Sequence, residues 1–97
     1  MLLQVLEFEW DQWNIQKNEI KHGVSSLESE SVFFDTQLKI FEDIKHSEDI
    51  EKRWVCYGRS NSHRILMLAF TIRNQKVRII SARPCSRKER NVYEIKT

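Results

Sequence analysis

Hydrophobic and polar positions alternate with a period of two near the start of the chain. Leu6, Phe8 and Trp10 fall on one side, Glu7 and Glu9 on the other. That spacing predicts a strand over Leu3–Trp10. Asp11 suits a helix N-cap and the polar run Gln12–His22 suits the helix behind it. Gly23 then stands where a left-handed backbone commonly closes a helix. Ser25-Ser26-Leu27-Glu28 has capping-box spacing, which predicts a second helix to about Phe34. Gln37–Glu42 alternates around Leu38 and Ile40 and reads as a strand, and the charged run Asp43–Asp49 reads as a loop.

The remainder reads as a meander. Lys52–Gly58 and Arg64–Arg73 are apolar on both faces, with a turn cluster at Ser60-Asn61-Ser62 between them, and the first is expected in the interior of the sheet. Asn74-Gln75 makes a short hairpin turn into the strand Val77–Arg83, where parity puts Arg78 and Arg83 on opposite faces. Pro84 ends that strand, because it has no N–H for the ladder. Ser86-Arg87-Lys88-Glu89 repeats the capping-box pattern and opens a last helix to about Lys96. The order β-α-α-β-β-β-β-α describes an α+β fold, an antiparallel sheet with helices from the front and back of the sequence.

Composition narrows the class. The chain has 97 residues, of which 40 % are hydrophobic and 31 % charged. That suits one globular domain over residues 1–97 and is too apolar for a disordered chain. Two Gly and one Pro leave no room for a collagen-like or linker-like design. The longest apolar run, Ile65–Ile72, falls far short of the ~20 residues of a membrane span. Met1–Leu6 has no basic flank and is followed by Glu7, Glu9 and Asp11, so no signal peptide is expected. Cys56 and Cys85 form no disulfide framework, and no Cys or His spacing suggests a metal. A cytoplasmic protein without metal or cofactor is the expectation.

Charge changes the picture more. Residues 1–51 hold four basic and twelve acidic side chains, whereas residues 52–97 hold twelve basic and two acidic ones. From Lys52 to Lys88 no carboxylate occurs. Two readings stand: acidic helices pairing with a basic sheet, or a basic face left over for a polyanion such as nucleic acid.

The densest feature is Arg78-Ile79-Ile80-Ser81-Ala82-Arg83, followed by Arg87, Lys88 and Arg90. Arginine forks onto phosphate oxygens, and a strand holds it rigidly enough to meet transition-state charge. Lys21-His22-Gly23 closes a helix; His22 there is explained by the helix dipole or serves as an acid or base. His46-Ser47 lies in the polar loop, with Glu51 and Arg53 close behind, and is either solvated or functional. Metal-free RNA cleavage needs little more than such groups. The 2′-OH is the nucleophile, and the protein supplies a proton acceptor, a donor and cations.

The runs themselves resemble a known family. Phe8-Glu9-Trp10-Asp11, Asn18, Lys21-His22-Gly23-Val24-Ser25, Val32-Phe33 and Asp35 resemble the N-terminal half of the BrnT family of type II toxins. His46-Ser47, Glu51, Arg53 and Gly58 look like its middle, and Arg64-Ile65-Leu66, Arg78–Arg83, Arg87, Glu89-Arg90 and Tyr93 like its C-terminal signature. The resemblance implies a RelE-like fold and a metal-independent endoribonuclease that arrests translation. It also implies a BrnA-type antitoxin that binds DNA, neutralises the toxin in a hetero-oligomer such as a two-to-two assembly, and brings it to its operator. On this reading His22, His46, Glu51, Arg64 and Arg83 are the catalytic candidates. Lys21, Arg53, Arg78, Arg87, Lys88 and Arg90 are the RNA-binding ones. The alternative is a module without cleavage, a partner of the antitoxin that modulates operator binding.

Overall fold

A computed structural model describes residues 7–95. The expected strand at the N-terminus begins outside that range and is seen as β1, Phe8–Glu9. Asp11 caps the next helix by accepting from Trp13 N–H at 2.8 Å, and α1 spans Gln12–His22. It ends at Gly23, whose φ of 63° is the left-handed cap expected there. α2 covers Ser26–Ser31, capped by Ser25, and passes into a 3-10 turn at Val32–Phe34. The strands follow as β2 (Lys39–Glu42), β3 (Trp54–Arg59), β4 (Ile65–Arg73) and β5 (Lys76–Pro84), and α3 spans Arg87–Tyr93. The loop after β2 holds a 3-10 turn at Ile44–His46.

The five strands form one sheet in the order β1-β5-β4-β3-β2. It is mixed, which corrects the expectation of a purely antiparallel sheet. β1 pairs with β5 in parallel through two rungs, Phe8–Val77 and Glu9–Arg78, while the other pairings are antiparallel. The helices carry the chain from β1 to β2 at the far edge, and three antiparallel strands then lead back to β5, so no hairpin joins β1 to β5 and the two are free to pair in parallel. Beyond those rungs the outer edge of β5 is met by α1, where Asn18 Oδ1 accepts from Ala82 N–H at 3.2 Å.

One face of the sheet carries the core. Cys56, Leu66, Leu68, Phe70, Val77, Ile79 and Ala82 are buried against Val24 and Val32 of the helical layer, with Phe8, Trp10, Phe33, Leu38 and Trp54 packed around them. Phe33 joins Phe8 and Phe70 with ring centroids 5.5 and 5.1 Å apart. Trp10 Nε1–H is anchored to Glu30 at 2.7 Å. No helix among the described residues is long and apolar enough to cross a membrane.

A bulge in β5 decides what the opposite face displays. Ser81 pairs with Ala69 and Ile79 with Phe70, so Ile80 is an extra residue. Ile79 and Ala82 are both buried although an odd step separates them. Parity alone placed Arg78 and Arg83 on opposite faces; the inserted residue brings them to the same one. Arg78 stands across from Thr71 and Arg83 across from Met67.

Candidate functional site

The face turned away from the core is a shallow trough. Arg83, Met67 and Tyr57 lie abreast on β5, β4 and β3, and Ser81, Ala69, Val55 and Phe41 form the next rank. α3 walls one end, since Glu89 near its start binds Arg83 and its last carbonyls take Lys39 Nζ of β2. The loop between β2 and β3 walls the other end. It is closed by Asp43 N–H donating to Arg53 O at 2.7 Å, and Ser47 Oγ bridges Asp43 O and Arg53 N–H at 2.8 and 2.9 Å.

Arg83 makes a fork-to-fork pair with Glu89, at 2.7 and 2.8 Å. Glu89 also completes the capping box of α3 by accepting from Ser86 N–H at 2.8 Å, so three donors hold its carboxylate in place. The Arg83 hydrogen bonds keep the Glu89 carboxyl below its usual range, and Glu89 raises the Arg83 guanidinium above its own. Beside them burial pushes the Tyr57 phenol up, and the Glu89 charge adds to the effect. Arg83, Glu89 and Tyr57 line a depression of about 300 Å³ together with Asp43, Phe41 and Met67.

At the loop end, His46 Nδ1 lies 2.8 Å from Asp43 Oδ2. The carboxylate orients the ring and leaves Nε2 pointing away from it. Glu51 holds Arg73 through both oxygens, the shortest contact being 2.9 Å. His46, Glu51 and Arg53 line a smaller pocket of about 140 Å³ with Glu48, Thr71 and Ile80. Behind its lining, Arg53 Nε and Thr71 Oγ1 are buried without a hydrogen-bond partner among the described residues.

Of the sequence-derived set, the trough carries Arg83 at its α3 end and groups His46, Glu51 and Arg53 in the pocket at its loop end. It does not gather the rest. Arg64 turns to the helical layer, where it grips Glu28 at 2.6 and 2.9 Å and Gly23 O at 2.9 Å. Ser60 Oγ–H adds a 2.6 Å bond to the same carboxylate, and the Arg64 hydrogen bonds hold Glu28 below its ordinary value. Lys21 and His22 end α1 in that same layer, beside Gly23, away from the trough. Arg78 is on the trough side but at the β1 edge, paired with Glu9 and Asp11 at 3.4 Å each. Arg87, Lys88 and Arg90 are exposed on α3 and make no ion pair among the described residues; Arg90 donates to Cys85 O at 3.2 Å.

Other candidates are chemically quiet. Burial pushes the Cys56 thiol up to about 12 and that of Cys85 to about 11, so neither is a ready nucleophile. A roomier depression of about 680 Å³ lies over the end of α3. Its polar groups serve each other: Lys39 Nζ caps the carbonyls of Val92, Tyr93 and Ile95, and Tyr93 Oη donates to Asp35 at 2.6 Å. Among the described residues no three His, Cys, Asp or Glu side chains converge as a metal site.

Sequence reasoning missed Asp43, Tyr57 and the role of Glu89. Tyr57 was within reach, because it shares strand parity with Val55 against the core-facing Cys56. The pairing of Glu89 with Arg83 was not, because a capping box already explained Glu89.

The family model described as the ribonuclease toxin BrnT of type II toxin-antitoxin systems matches residues 10–89. Among solved structures, the fold is similar to the 1.1 Å crystal structure of the Brucella abortus ribonuclease toxin, BrnT. The TM-score is 0.64 at 24 % identity, over 86 % of this chain and 100 % of that one. No curated protein matches the chain by sequence.

Proposed function

The chain belongs to the BrnT family of ribonuclease toxins of type II toxin-antitoxin systems, and from that premise we propose that its trough is the site of a metal-independent endoribonuclease. The observation that carries the reading is one depression lined by both Arg83 and Asp43, the residue that holds His46. Asp43 thereby joins the depression of Arg83 to the neighbouring pocket that His46 lines, so cation and oriented imidazole stand in adjacent parts of one trough.

The chemistry is a transfer within the RNA. The 2′-oxygen attacks the adjacent phosphorus and the bond from phosphorus to the 5′-oxygen breaks, leaving a 2′,3′-cyclic phosphate. His46 Nε2 takes the 2′ proton, and water or a second group returns one to the leaving oxygen. Arg83 must release Glu89 to reach the phosphorane, and Arg53 adds positive charge from the loop. Tyr57, kept protonated by its raised phenol, is placed to donate to a phosphate oxygen. Glu51 acts through Arg73 as a support of the loop. Arg64, Lys21 and His22 serve the helical layer, and Arg87, Lys88 and Arg90 extend the basic surface for the flanking strand of RNA.

The wider setting follows the family: a BrnA-type antitoxin as partner, operator DNA reached only through it, a RelE-like relationship of fold, and action on RNA in the cytoplasm. The test is induced expression of the chain alone, with RNA analysed. Wild type should arrest growth and cut RNA in excess chelator. Arg83→Ala should fold and lose about 30- to 1000-fold in rate, as removal of one such contact costs ~2–4 kcal/mol. Arrest by a folded Arg83→Ala protein at wild-type strength would remove Arg83 from the mechanism, and dependence on metal would remove the metal-free route.

A further inference from the structure

We propose that Phe41 is a stacking platform for one base of the RNA, that of a nucleotide next to the phosphate at Arg83. The proposal rests on the reading of the trough as an RNA site and adds to it a residue, Phe41, that the proposed chemistry does not use.

Phe41 is 40 % exposed, although it is a large apolar side chain in a strand. It stands across from Val55, on the side of the sheet away from the core, and lines the depression that Arg83 also lines. Its ring centroid lies 5.3 Å from that of Tyr57, with the two planes tilted by 59°. Tyr57 therefore does not lie flat upon it, and ring surface stays open to the depression. Val55 and Met67 complete an apolar floor. Every nucleobase has a π-face, so an aromatic surface of this kind takes a base of any identity.

The charges in the depression separate the two parts of a nucleotide. Glu42 and Asp43 stand at its β2 end, Arg83 and Glu89 at its α3 end. Lys52 lies 3.4 Å from Glu42, and His46 lies 2.8 Å from Asp43. Ionised carboxylates only accept hydrogen bonds, so the β2 end disfavours a phosphate and suits the N–H groups on the edge of a base. The cation for the phosphate is at the other end. The volume of about 300 Å³ equals the share of about ten waters, which is room for one base. β2 is an outer strand of the sheet, so the RNA has an open side from which to enter. An antitoxin side chain is the rival occupant. A cation in the same depression as the open ring favours the nucleotide, which carries both a π-face and a phosphate.

Phe41→Leu keeps an apolar side chain and removes the ring, whereas Phe41→Trp keeps a ring. One probe is a single-stranded oligoadenylate, 2′-O-methylated throughout so that it resists cutting. The other has the same length and phosphates but sugars without bases. Binding is followed by fluorescence anisotropy across salt concentrations. On the oligoadenylate, Phe41→Leu should bind about tenfold more weakly than wild type. Its salt slope and melting temperature should be those of wild type, because no phosphate contact is lost. Phe41→Trp should bind like wild type, and the base-free probe should not tell wild type from Phe41→Leu. Wild-type affinity of Phe41→Leu for the oligoadenylate overturns the platform, and weaker binding of the antitoxin by that variant then assigns the ring to the antitoxin. An equal loss on the base-free probe, an equal loss in Phe41→Trp, or a lower melting temperature overturns it too. So does a wild-type protein that binds no oligonucleotide. If wild type binds with the expected pattern yet leaves unmodified RNA intact, the platform stands and the ribonuclease reading falls.

Discussion

Glu28 accepts three hydrogen bonds, two from Arg64 and one from Ser60, although its place in the sequence offers it to a capping box. Ser25 Oγ takes the Glu28 N–H at 3.1 Å, so half of the box forms, but the carboxylate turns the other way. Glu28→Gln keeps the shape and removes the charge. Charge-assisted bonds contribute ~1.5–3 kcal/mol, and chemical denaturation of the variant should show a loss of that order. The pH dependence has a definite sign. A carboxyl held below its ordinary 4.5 stabilises the fold fully above that value and loses its contribution as pH falls through the lower, folded value. Wild type should therefore lose stability below pH 4.5, and Glu28→Gln should lose less over the same range. Arg64 belongs to this brace, so substituting it lowers stability before it touches chemistry. Both Ser caps were legible in the sequence because a cap is local, three residues wide. The partner of Glu28 was not, because Arg64 is 36 residues away and only the fold brings it near.

At the scale of elements, the strands and turns were legible because side-chain period and turn chemistry are also local. β4 and β5 fall within a residue or so of their predicted bounds, and Asn74-Gln75 turns with φ of 53° and 65°, as a two-residue hairpin requires. The bulge at Ile80 was not legible, since nothing in six residues of β5 announces an unpaired rung, and register is settled by the neighbouring strand. The parallel β1–β5 pairing escaped for the same reason. Gly58 is an element-level constraint with a clear test. A Cβ there would stand 2.6 Å from Val32 Cγ1 and 2.7 Å from Leu38 Cδ1, where the 3-10 turn presses onto β3. Gly58→Ala should destabilise by ~1–3 kcal/mol through overpacking. Combined with Val32→Ala, the loss should be smaller than the sum of the single losses, because the second change opens the space the first one needs. Thermal unfolding of the four proteins in the cycle decides it.

Across the whole molecule, the acidic first half and the basic second half are stitched to each other. Arg64–Glu28, Arg73–Glu51, Lys52–Glu42, Lys76–Glu7 and Arg78 with Glu9 and Asp11 all cross between the halves. Intramolecular pairing thus accounts for much of the asymmetry, and the surplus lies at Arg53, Arg59 and the exposed turn of α3. An antitoxin that binds only the folded toxin should stabilise it by mass action, by ~2.7 kcal/mol at a hundredfold excess over Kd, and so raise its melting temperature. No shift at saturating antitoxin would remove that coupling.

The proposed division of the sheet into a braced side and a working side has a genetic corollary. Cells that survive induction of an intact toxin gene should carry alleles of two kinds, separable by immunoblot. Lesions in the trough, at Arg83 or His46, would leave normal amounts of a harmless protein still able to titrate antitoxin. Lesions behind it, at Glu28, Arg64 or Gly58, would deplete the protein itself. The position of a survivor's mutation on one side of the sheet or the other would foretell whether the antitoxin it leaves behind is free or occupied.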